Sequence, residues 1–377
     1  MKITVETTSL SRELFKLQGI ASARSSVQMA QFALLTATKD GQLTLQATDM
    51  ELSLTARIDC ITDSPGQIAI RARDFHDVVK NLRTETLTLT REENHWALLE
   101  AGTVRARLVG AEPSGYPKIP STVNLEPLKV RTTSLQRLID RTLFSVSQDE
   151  ARPNLTGALL RISDAGRMQL VSTDGHRLSK AEMPVPFATE GLPVELRTGV
   201  IVPRKGLDQL RRTLDVTEGT TAFGLEGTNI IFIYGNTTLT VRLIDGTFPN
   251  FEQVIPAPRP DNRASIGRKE FLDRLKFVSL FSSAKTNNVR IHLEEDTCII
   301  AAQDPERGEG EERIQIEYTA GPVKAGFNHK YLTDILSVVD GDRVSMEMTD
   351  ALSATVFREL DGEDGEESLF IVMPMRI

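Results

Sequence analysis

The amino-acid sequence predicts an α+β fold that is repeated three times along a chain of 377 residues. Each third opens with a helical pattern and continues with alternating strands that end in an aspartate. A second helical pattern then follows, and further strands close the third. Because strand patterns outnumber helical ones, each third should form one domain in which antiparallel sheets back two helices.

The first helical pattern of each third begins at Ser9, Ser134 or Arg268. Its apolar residues recur at spacings of three and four, which is the period of a helix with one buried face. A serine hydroxyl can accept a hydrogen bond from the free N–H groups at a helix start. Ser9 and Ser134 are therefore predicted to cap the first two helices.

The strand pattern that follows ends each time in a similar tripeptide. The three segments read LTLQATD, MQLVSTD and CIIAAQD, and they finish at Asp49, Asp174 and Asp304. These aspartates are separated by 125 and 130 positions. A spacing that nearly repeats indicates an internal duplication.

The second helical pattern occupies residues 72–83, 203–214 and 328–339. The segments 88–110 and 221–246 come after the first two of these patterns. They alternate apolar and polar residues around turns rich in Gly, Asn or Glu, which is typical of hairpins. Strands are thus predicted to close each third.

Two proline-bearing stretches, 113–127 and 248–260, separate the thirds. Proline fixes the backbone and cannot donate to a strand ladder, so these stretches are predicted to be extended linkers. The predicted domains are residues 1–122, 123–254 and 255–377.

The composition is that of a globular protein, with 40% apolar and 25% charged residues. No long apolar run marks a signal peptide or a membrane span. Cys60 and Cys298 are the only cysteines and lack the spacing of metal ligands. We expect both to be small buried hydrophobic residues, with no metal site and no cofactor, in a reducing cytoplasm.

The charge of the chain is unevenly distributed. The net charge is −8, yet Lys and Arg outnumber Asp and Glu by 17 to 8 in the six helical segments. Such basic helices suit a wall that faces phosphates without reading sequence. They are also compatible with ordinary solvated faces of amphipathic helices. The acidic run at 360–368 is predicted to be a solvated loop between the last two strands.

Several segments resemble the β subunit of bacterial DNA polymerase III, the sliding clamp family. They are FSVSQDEARPNLTGALL, LVSTDGHRLSKAEMPV, VIVPRKGLDQL, VRLIDGTFPNFEQVIP and the terminal VMPMRI. The resemblance covers the whole chain, and its first and third domains match more loosely. It implies the DNA clamp fold, with three similar domains in each chain and two chains in a head-to-tail homodimeric ring. Helices would line the hole and sheets would form the rim.

The resemblance implies a non-catalytic processivity factor that encircles double-stranded DNA without sequence preference. Its implied partners are a second copy of itself, the polymerase III catalytic subunit, the clamp loader, other polymerases, mismatch-repair proteins and ligase. The protein partners would bind through short linear peptides. A cytoplasmic, nucleoid-associated location follows, with no membrane partner.

The resemblance also implies a peptide groove between the second and third domains. Its residues would be Leu155, Thr173, Gly175, His176, Arg177, Leu178, Pro249, Gln253, Val254, Leu352, Ala354, Ile371, Met373, Pro374, Met375, Arg376 and Ile377. Methionines suit such a groove because a flexible thioether can repack around different ligands. Gln253, Ala354 and Ile377 depart from the family pattern, which leaves the groove apolar but alters its polar contacts.

Two further residue sets follow from the resemblance. The DNA-facing set is Arg24, Arg73, Gln148, Arg204 and Lys205. For the dimer contact, we hypothesise that basic residues of the first domain face acidic residues of the third, with an apolar part beside them. These residues are Arg105, Arg107, Glu306, Glu309, Glu311, Glu312, Leu280 and Phe281.

Two alternatives stay open at the level of sequence. One is a monomeric interaction scaffold of the same fold that has lost its ring. The other is a hydrolase that uses Asp174 and His176, although the chain carries no nucleophile elbow, phosphate-binding loop or metalloprotease motif.

Overall fold

The structure is a computed structural model that describes residues 1–21, 27–120, 126–217, 219–360 and 365–376. Within these residues the α-helices are α1 (Thr7–Gln18), α2 (Ala72–Val79), α3 (Thr132–Asp140), α4 (Val194–Thr198), α5 (Arg204–Thr213), α6 (Arg268–Ser279) and α7 (His329–Val338). The strands of the first third are β1 (Lys2–Glu6), β2 (Phe32–Ala37), β3 (Gln42–Thr48), β4 (Leu52–Asp59), β5 (Ile61–Ser64), β6 (Gly66–Arg71), β7 (Thr86–Arg91), β8 (Trp96–Ala101) and β9 (Val104–Ala111).

The middle and last thirds follow the same pattern. Their strands are β10 (Leu128–Arg131), β11 (Gly157–Ile162), β12 (Arg167–Thr173), β13 (Arg177–Pro184), β14 (Val200–Pro203), β15 (Thr220–Glu226), β16 (Asn229–Tyr234), β17 (Thr237–Arg242), β18 (Arg263–Gly267), β19 (Asn288–Glu294), β20 (Thr297–Asp304), β21 (Gly308–Gln315), β22 (Val323–Asn328), β23 (Arg343–Glu347), β24 (Thr355–Glu359) and β25 (Glu367–Val372).

The order of elements confirms the threefold repeat. Each third runs as one strand, a helix, four strands, a second helix and three strands, with β5 added in the first third and α4 in the middle one. The sheets are antiparallel throughout the described strand pairs. The α+β fold class predicted from the alternation of helical and strand patterns is therefore confirmed.

The chain forms two compact units. Unit 1 comprises Met1–Thr133 and Lys205–Leu243, and unit 2 comprises Ser134–Arg204 and Ile244–Ile377. Unit 1 contains a sheet of thirteen described strands in the order β10-β15-β16-β17-β4-β3-β2-β6-β9-β8-β7-β1-β5. Unit 2 contains eight strands in the order β14-β11-β12-β13-β25-β24-β23-β18 and four in the order β21-β20-β19-β22.

Alternation along the strands explains how each unit builds a core. In β3, Leu43, Leu45 and Ala47 are fully buried while the residues between them are partly exposed. The helix α1 covers this side of unit 1 with Leu10 and Leu14, which are also fully buried. Side chains that alternate along a strand and recur every third or fourth residue along a helix meet in one apolar layer.

The helix starts differ from the prediction. A strand runs directly into α1 and into α3, so these helices begin at Thr7 and Thr132, before the predicted caps. Ser9 lies within the first turn of α1 and donates to Glu6 Oε2 at 2.5 Å. Ser134 likewise lies inside α3. The prediction that these serines cap the helices was wrong because the strand, rather than a loop, supplies the residue before each helix.

A buried arginine joins the middle third to the last third within unit 2. Only 2% of the Arg141 side chain is exposed, although it is charged. It lies 2.8 Å from Glu359 and 3.0 Å from Glu366, which are also buried, and 3.2 Å from Asp340 at the surface. Arg137, one helical turn earlier, pairs with Glu366 at 2.7 Å. Both carboxylates are thereby neutralised away from water.

This arrangement corrects the prediction made for the acidic run at 360–368. Residues 361–364 lie outside the described part of the chain, but Glu366 is 3% exposed and bonded to two arginines. The prediction of a solvated loop was wrong for Glu366, because charge on a distant helix compensates its burial. Cys298 is buried as expected, and loss of solvent contact raises the pKa of its thiol to about 12. Cys60 is only half-buried.

We predict that Arg141→Met lowers the free energy of unfolding by about 3–5 kcal/mol, because it leaves Glu359 and Glu366 buried without their shared cation. Arg137→Met is the matched control and should have a smaller effect, since Glu366 keeps Arg141. Urea unfolding followed by circular dichroism measures both. Equal midpoints for Arg141→Met and the unmodified protein would contradict the prediction.

Candidate binding groove and free strand edges

The tripeptide repeated in each third forms a turn. Thr173 Oγ1 donates to the Arg177 carbonyl at 2.7 Å, and Asp174 Oδ1 accepts from the backbone N–H of His176 at 2.9 Å and of Arg177 at 3.0 Å. Asp174 Oδ2 also pairs with the Arg177 side chain at 3.0 Å. Short polar side chains that bond their own backbone in this way close tight turns.

The same bonds recur in unit 1. Thr48 Oγ1 donates to the Leu52 carbonyl at 2.9 Å, and Asp49 Oδ1 accepts from the Leu52 N–H at 2.7 Å. Gly175 has a φ of 90° and its counterpart Met50 a φ of 81°, so the turn needs a left-handed residue at this place. The aspartate therefore serves the turn in both units.

An apolar cluster lies next to the Asp174 turn in unit 2. Its buried residues come from the middle and last thirds, and they are Leu155, Leu159, Val171, Leu178, Ile201, Phe248, Phe251, Val356, Leu369 and Ile371. Ile244, Ile255 and Ala354 pack against it from partly exposed positions. Leu155, Leu178, Ala354 and Ile371 were predicted from the sequence, and the structure brings them together here.

Exposed apolar side chains border this cluster. Val254 is 55% exposed, Leu352 is 71% exposed and Met373 is 43% exposed, and each lies within two residues of a cluster member along the chain. Several large apolar side chains exposed beside one apolar cluster indicate a binding surface. The predicted groove residues His176, Pro249, Gln253 and Arg376 are also exposed, while Thr173, Pro374 and Met375 are half-buried.

The C-terminal segment forms one wall of the groove. The Met373 N–H donates to the His176 carbonyl at 2.9 Å, and the Met375 N–H donates to the Gly326 carbonyl at 2.8 Å. Backbone bonds therefore fix this segment to the middle third on one side and to the last third on the other. The predicted residue Ile377 lies outside the described residues.

Sequence reasoning missed the aromatic part of the groove. Phe248 and Phe251 are 8% and 5% exposed and belong to the apolar cluster, although they lie in a stretch predicted to be only a linker. Arg161 lies 5.0 Å from the Phe251 ring centroid. The signal was available in the sequence FPNF, because large aromatic residues within a proline-bearing stretch need a buried place to pack.

Unit 1 carries an equivalent strand junction with different chemistry. In unit 1 the strand β4 pairs with β17, with Leu52 opposite Val241. In unit 2 the strand β13 pairs with β25 in the same way, with Arg177 opposite Val372. Leu178 and Ile371 in unit 2 therefore correspond to Ser53 and Thr240 in unit 1. At these two positions the unit 1 junction carries hydroxyl groups in place of the apolar side chains of unit 2.

Two of the strands with an unpaired edge, β9 and β21, carry charged residues of the predicted dimer contact. The strand β9 pairs fully with β8, but β6 joins its other edge only at Gly110 and Ala111. The strand β21 is the last of its sheet. The exposed side chains are Arg105 and Arg107 on β9, and Glu309 and Glu311 on β21, where Arg313 pairs with Glu311 at 3.1 Å.

The charged edge residues stay accessible. Arg105 is 71% exposed and lies 3.7 Å from Glu100, and Arg107 is 59% exposed and bonds Glu92 through its Nε at 2.8 Å. On the other edge, Glu311 is 52% exposed and Glu312 is 25% exposed, the latter 3.4 Å from Arg274. Glu306 and Glu309 are exposed.

Apolar residues adjoin the acidic edge. Leu280 is 63% exposed at the end of α6. The Phe281 ring lies so close to Gly310 that a Cβ there would be 2.4 Å from it. Phe277, which is 49% exposed, meets the Phe281 ring edge-on at 5.9 Å. The predicted apolar part of the dimer contact is therefore available at the surface of unit 2.

The predicted DNA-facing residues fall into two kinds. Arg73 on α2 and Gln148 are exposed. Arg204 donates from Nη1 to the Val146 carbonyl at 3.0 Å, and Lys205 forms an ion pair with the buried carboxylate of Asp49. Arg24 lies outside the described residues. All five stay predictions, and two of them have partners within the chain.

Two general findings concern the described residues. They contain no group of three or more His, Cys, Asp or Glu side chains that could hold a metal ion. None of their helices is both long and apolar enough to cross a membrane.

Comparisons with known proteins cover the whole chain. Family models for the N-terminal, central and C-terminal domains of the DNA polymerase III beta subunit match residues 1–120, 129–250 and 252–376. A beta sliding clamp of Pseudomonas aeruginosa is 32% identical over the full length of both chains. Solved sliding clamps bound to griselimycin, from P. aeruginosa and Bartonella birtlesii, match over both full chains with TM-scores of 0.90 and 0.91, at 31% and 28% identity.

Proposed function

This chain belongs to the DNA polymerase III beta subunit family and is a DNA sliding clamp, and from that premise we propose how its ring closes, what holds DNA and where partners bind. Two copies close head to tail around double-stranded DNA and tether the replicative polymerase to it. The observation that carries the proposal is the pair of free strand edges with opposite charge, β9 and β21.

The internal repeat supports pairing between these two edges. In unit 1, the strand β4 pairs with β17, and in unit 2 the strand β13 pairs with β25. The strands β4 and β13 occupy the same place in their thirds as β21 does in the last one. The strands β17 and β25 close their thirds as β9 closes the first. The edge β21 should therefore pair with β9 of a second chain.

The hairpin registers predict which residues face each other. In the first third, Ser53 pairs with Thr48, the residue that precedes Asp49. In the last third, Glu309 pairs with Gln303, the residue that precedes Asp304. Ser53 and Glu309 therefore occupy equivalent positions.

The same reasoning applies to the closing hairpins. Val104 pairs with Ala101 in the first third, and Thr237 pairs with Tyr234 in the middle third, so Val104 and Thr237 are equivalent. Arg107 and Thr240 each lie three positions further along and are therefore equivalent too.

Combining these equivalences gives the interface. Because Ser53 lies opposite Thr240, Glu309 should lie opposite the partner's Arg107, and Glu311 opposite the partner's Arg105. Opposite charges directly across an antiparallel pair contribute about 0.2–1 kcal/mol each. Leu280 and Phe281 supply the apolar part, with Glu306 and Glu312 at its border. The ring requires two such contacts.

Closure of the ring accounts for DNA binding by an acidic protein. A chain with a net charge of −8 is expected to hold DNA weakly through phosphate contacts. Topology supplies the retention, and weak contacts from Arg24, Arg73, Gln148, Arg204 and Lys205 permit movement along the duplex. A location at the nucleoid in the cytoplasm belongs to the same proposal.

The apolar groove of unit 2 is the proposed docking site for partner peptides. The hydroxyl-lined junction of unit 1 supports a single site of this kind in each chain. The proposed partners are the polymerase III catalytic subunit, the clamp loader, other polymerases, mismatch-repair proteins and ligase. Griselimycin, to which the P. aeruginosa and B. birtlesii clamps are described as bound, is proposed to occupy the same groove.

The two alternatives fit the molecule less well. A monomeric scaffold would leave two oppositely charged strand edges exposed, which is a liability that proteins avoid. A hydrolase would need the Asp174 carboxylate to orient His176 or to accept a proton. Both oxygens of that carboxylate are already bonded, one to the backbone of the turn and one to the Arg177 side chain. We therefore propose that the chain is non-catalytic.

The ring predicts a dependence on DNA topology. Protein assembled on a nicked circular duplex by its clamp loader should stay bound during gel filtration, and it should be lost when the same circle is linearised, because it slides off the ends. Retention that is the same on circular and linear DNA would contradict the ring.

The edge pairing predicts a charge swap. Arg105→Glu with Arg107→Glu should raise the dimer dissociation constant by about a hundredfold, since like charges then face each other in both contacts. Adding Glu309→Arg and Glu311→Arg should restore the dimer. Analytical ultracentrifugation measures the dissociation constant. Lys129→Glu, a charge reversal at an exposed residue of β10, is the control. An intact dimer in the double variant would exclude this register.

The groove predicts loss of ligand binding from its exposed border. Leu352→Asp and Val254→Asp should each weaken griselimycin binding by at least about tenfold, because each places a charge beside the apolar cluster. Ile61→Asp is the matched control, since Ile61 is 69% exposed on β5 of unit 1. Calorimetry measures the affinities. Unchanged binding in both groove variants would overturn the proposed site.

A further inference from the structure

Arg177 is held by the protein at each of its three side-chain nitrogens. Its Nε lies 3.0 Å from Asp174, its Nη1 lies 2.6 Å from Asp334 on α7, and its Nη2 donates to the Phe144 carbonyl at 2.6 Å. Only 11% of the side chain is exposed. These acceptors come from a turn and a short 3-10 helix of the middle third and from an α-helix of the last third.

Two aromatic rings also contact the guanidinium group. Its central carbon lies 4.3 Å from the Tyr331 ring centroid and 5.2 Å from the Phe144 ring centroid, which is the range of cation–π attraction. Loss of solvent contact, with the nearby Asp174 carboxylate, raises the pKa of Tyr331. We refer to Phe144, Asp174, Arg177, Tyr331 and Asp334 as the Arg177 network.

The network is coupled to the wall of the groove through the backbone. Arg177 lies opposite Val372 in the pairing of β13 with β25, and the preceding carbonyl, that of His176, accepts from the Met373 N–H. The neighbouring residue Leu178 belongs to the apolar cluster. A shift of Arg177 would therefore move Met373 and Leu178 together.

We propose that Asp334 is a positioning residue for the groove. It holds Arg177 so that the Thr173–Leu178 turn and the C-terminal wall stay in their binding geometry. The proposal rests on the groove proposed above and changes the expected task of Arg177. Instead of contacting the bound peptide, Arg177 joins the middle third to α7 within unit 2.

Energetics favour this task over direct ligand contact. A ligand that recruited the guanidinium group would have to replace charge-assisted bonds to two carboxylates, and such bonds are about twice as strong as neutral ones. An intact network instead keeps the groove in its competent state before the ligand arrives. If only a fraction of the molecules is competent, the apparent affinity falls to that fraction of the intrinsic affinity.

The test is a double-mutant cycle with griselimycin as the probe. The variants are Arg177→Gln, Asp334→Asn and the two together in the full-length protein, with binding measured by calorimetry. Each single change should weaken binding by about tenfold, and the double variant should bind no more weakly than the singles, because both remove one connection. Asp340→Asn is the control, since Asp340 also pairs with an arginine of unit 2 but away from the groove.

Each other outcome contradicts a particular statement. If Asp334→Asn leaves binding unchanged or tightens it while Arg177→Gln weakens it, Arg177 contacts the ligand directly. If the two losses multiply in the double variant, the residues act independently. If Asp340→Asn weakens binding as much, the loss reflects general destabilisation. Failure of the unmodified protein to bind griselimycin would instead overturn the groove itself.

Discussion

The antiparallel pairing between a strand of one third and the closing strand of the next is the interaction on which the rest of this structure depends. It joins β4 to β17 in unit 1 and β13 to β25 in unit 2. A duplicated domain with sheets on its outside has an unpaired edge at each end, and unpaired edges invite further pairing. The edges of β9 and β21 carry opposite charge, and a second copy can pair with both of them.

Each of these junctions places different side chains at equivalent positions. Hydroxyl residues such as Ser53 and Thr240 line the junction of unit 1, and Leu178 with Ile371 lines that of unit 2. At the free edges the equivalent positions carry Glu309 and Arg107. Because the backbone ladder holds each junction, the side chains at these positions are free to differ. The junction of unit 1 can thus lack a ligand site, the junction of unit 2 can bind a ligand, and the contact between the free edges can set the orientation of the second chain.

The sequence predicted the repeat because its signals are local. Hydrophobic periodicity needs no knowledge of distant contacts, so the order of elements and the strand ends next to Asp49 and Asp174 followed from short segments. The failures involve residues distant along the chain. Glu366 looked solvated because nothing near it shows that Arg141, more than two hundred positions away, neutralises it. Much of the groove came from family resemblance. Its aromatic part, Phe248 and Phe251, was instead overlooked despite a local signal, because the prolines around it favoured an extended linker.

The basic helices also carry less free charge than their sequence suggests. Arg137 and Arg141 are bonded to buried carboxylates, Lys205 to Asp49, and Arg204 to a backbone carbonyl. A count of cations therefore overstates the phosphates that the chain can contact, and each lost contact weakens binding and its dependence on salt. For a protein retained by a closed ring, this neutralisation is an advantage. Strong phosphate contacts would add nothing to retention and would slow movement along DNA.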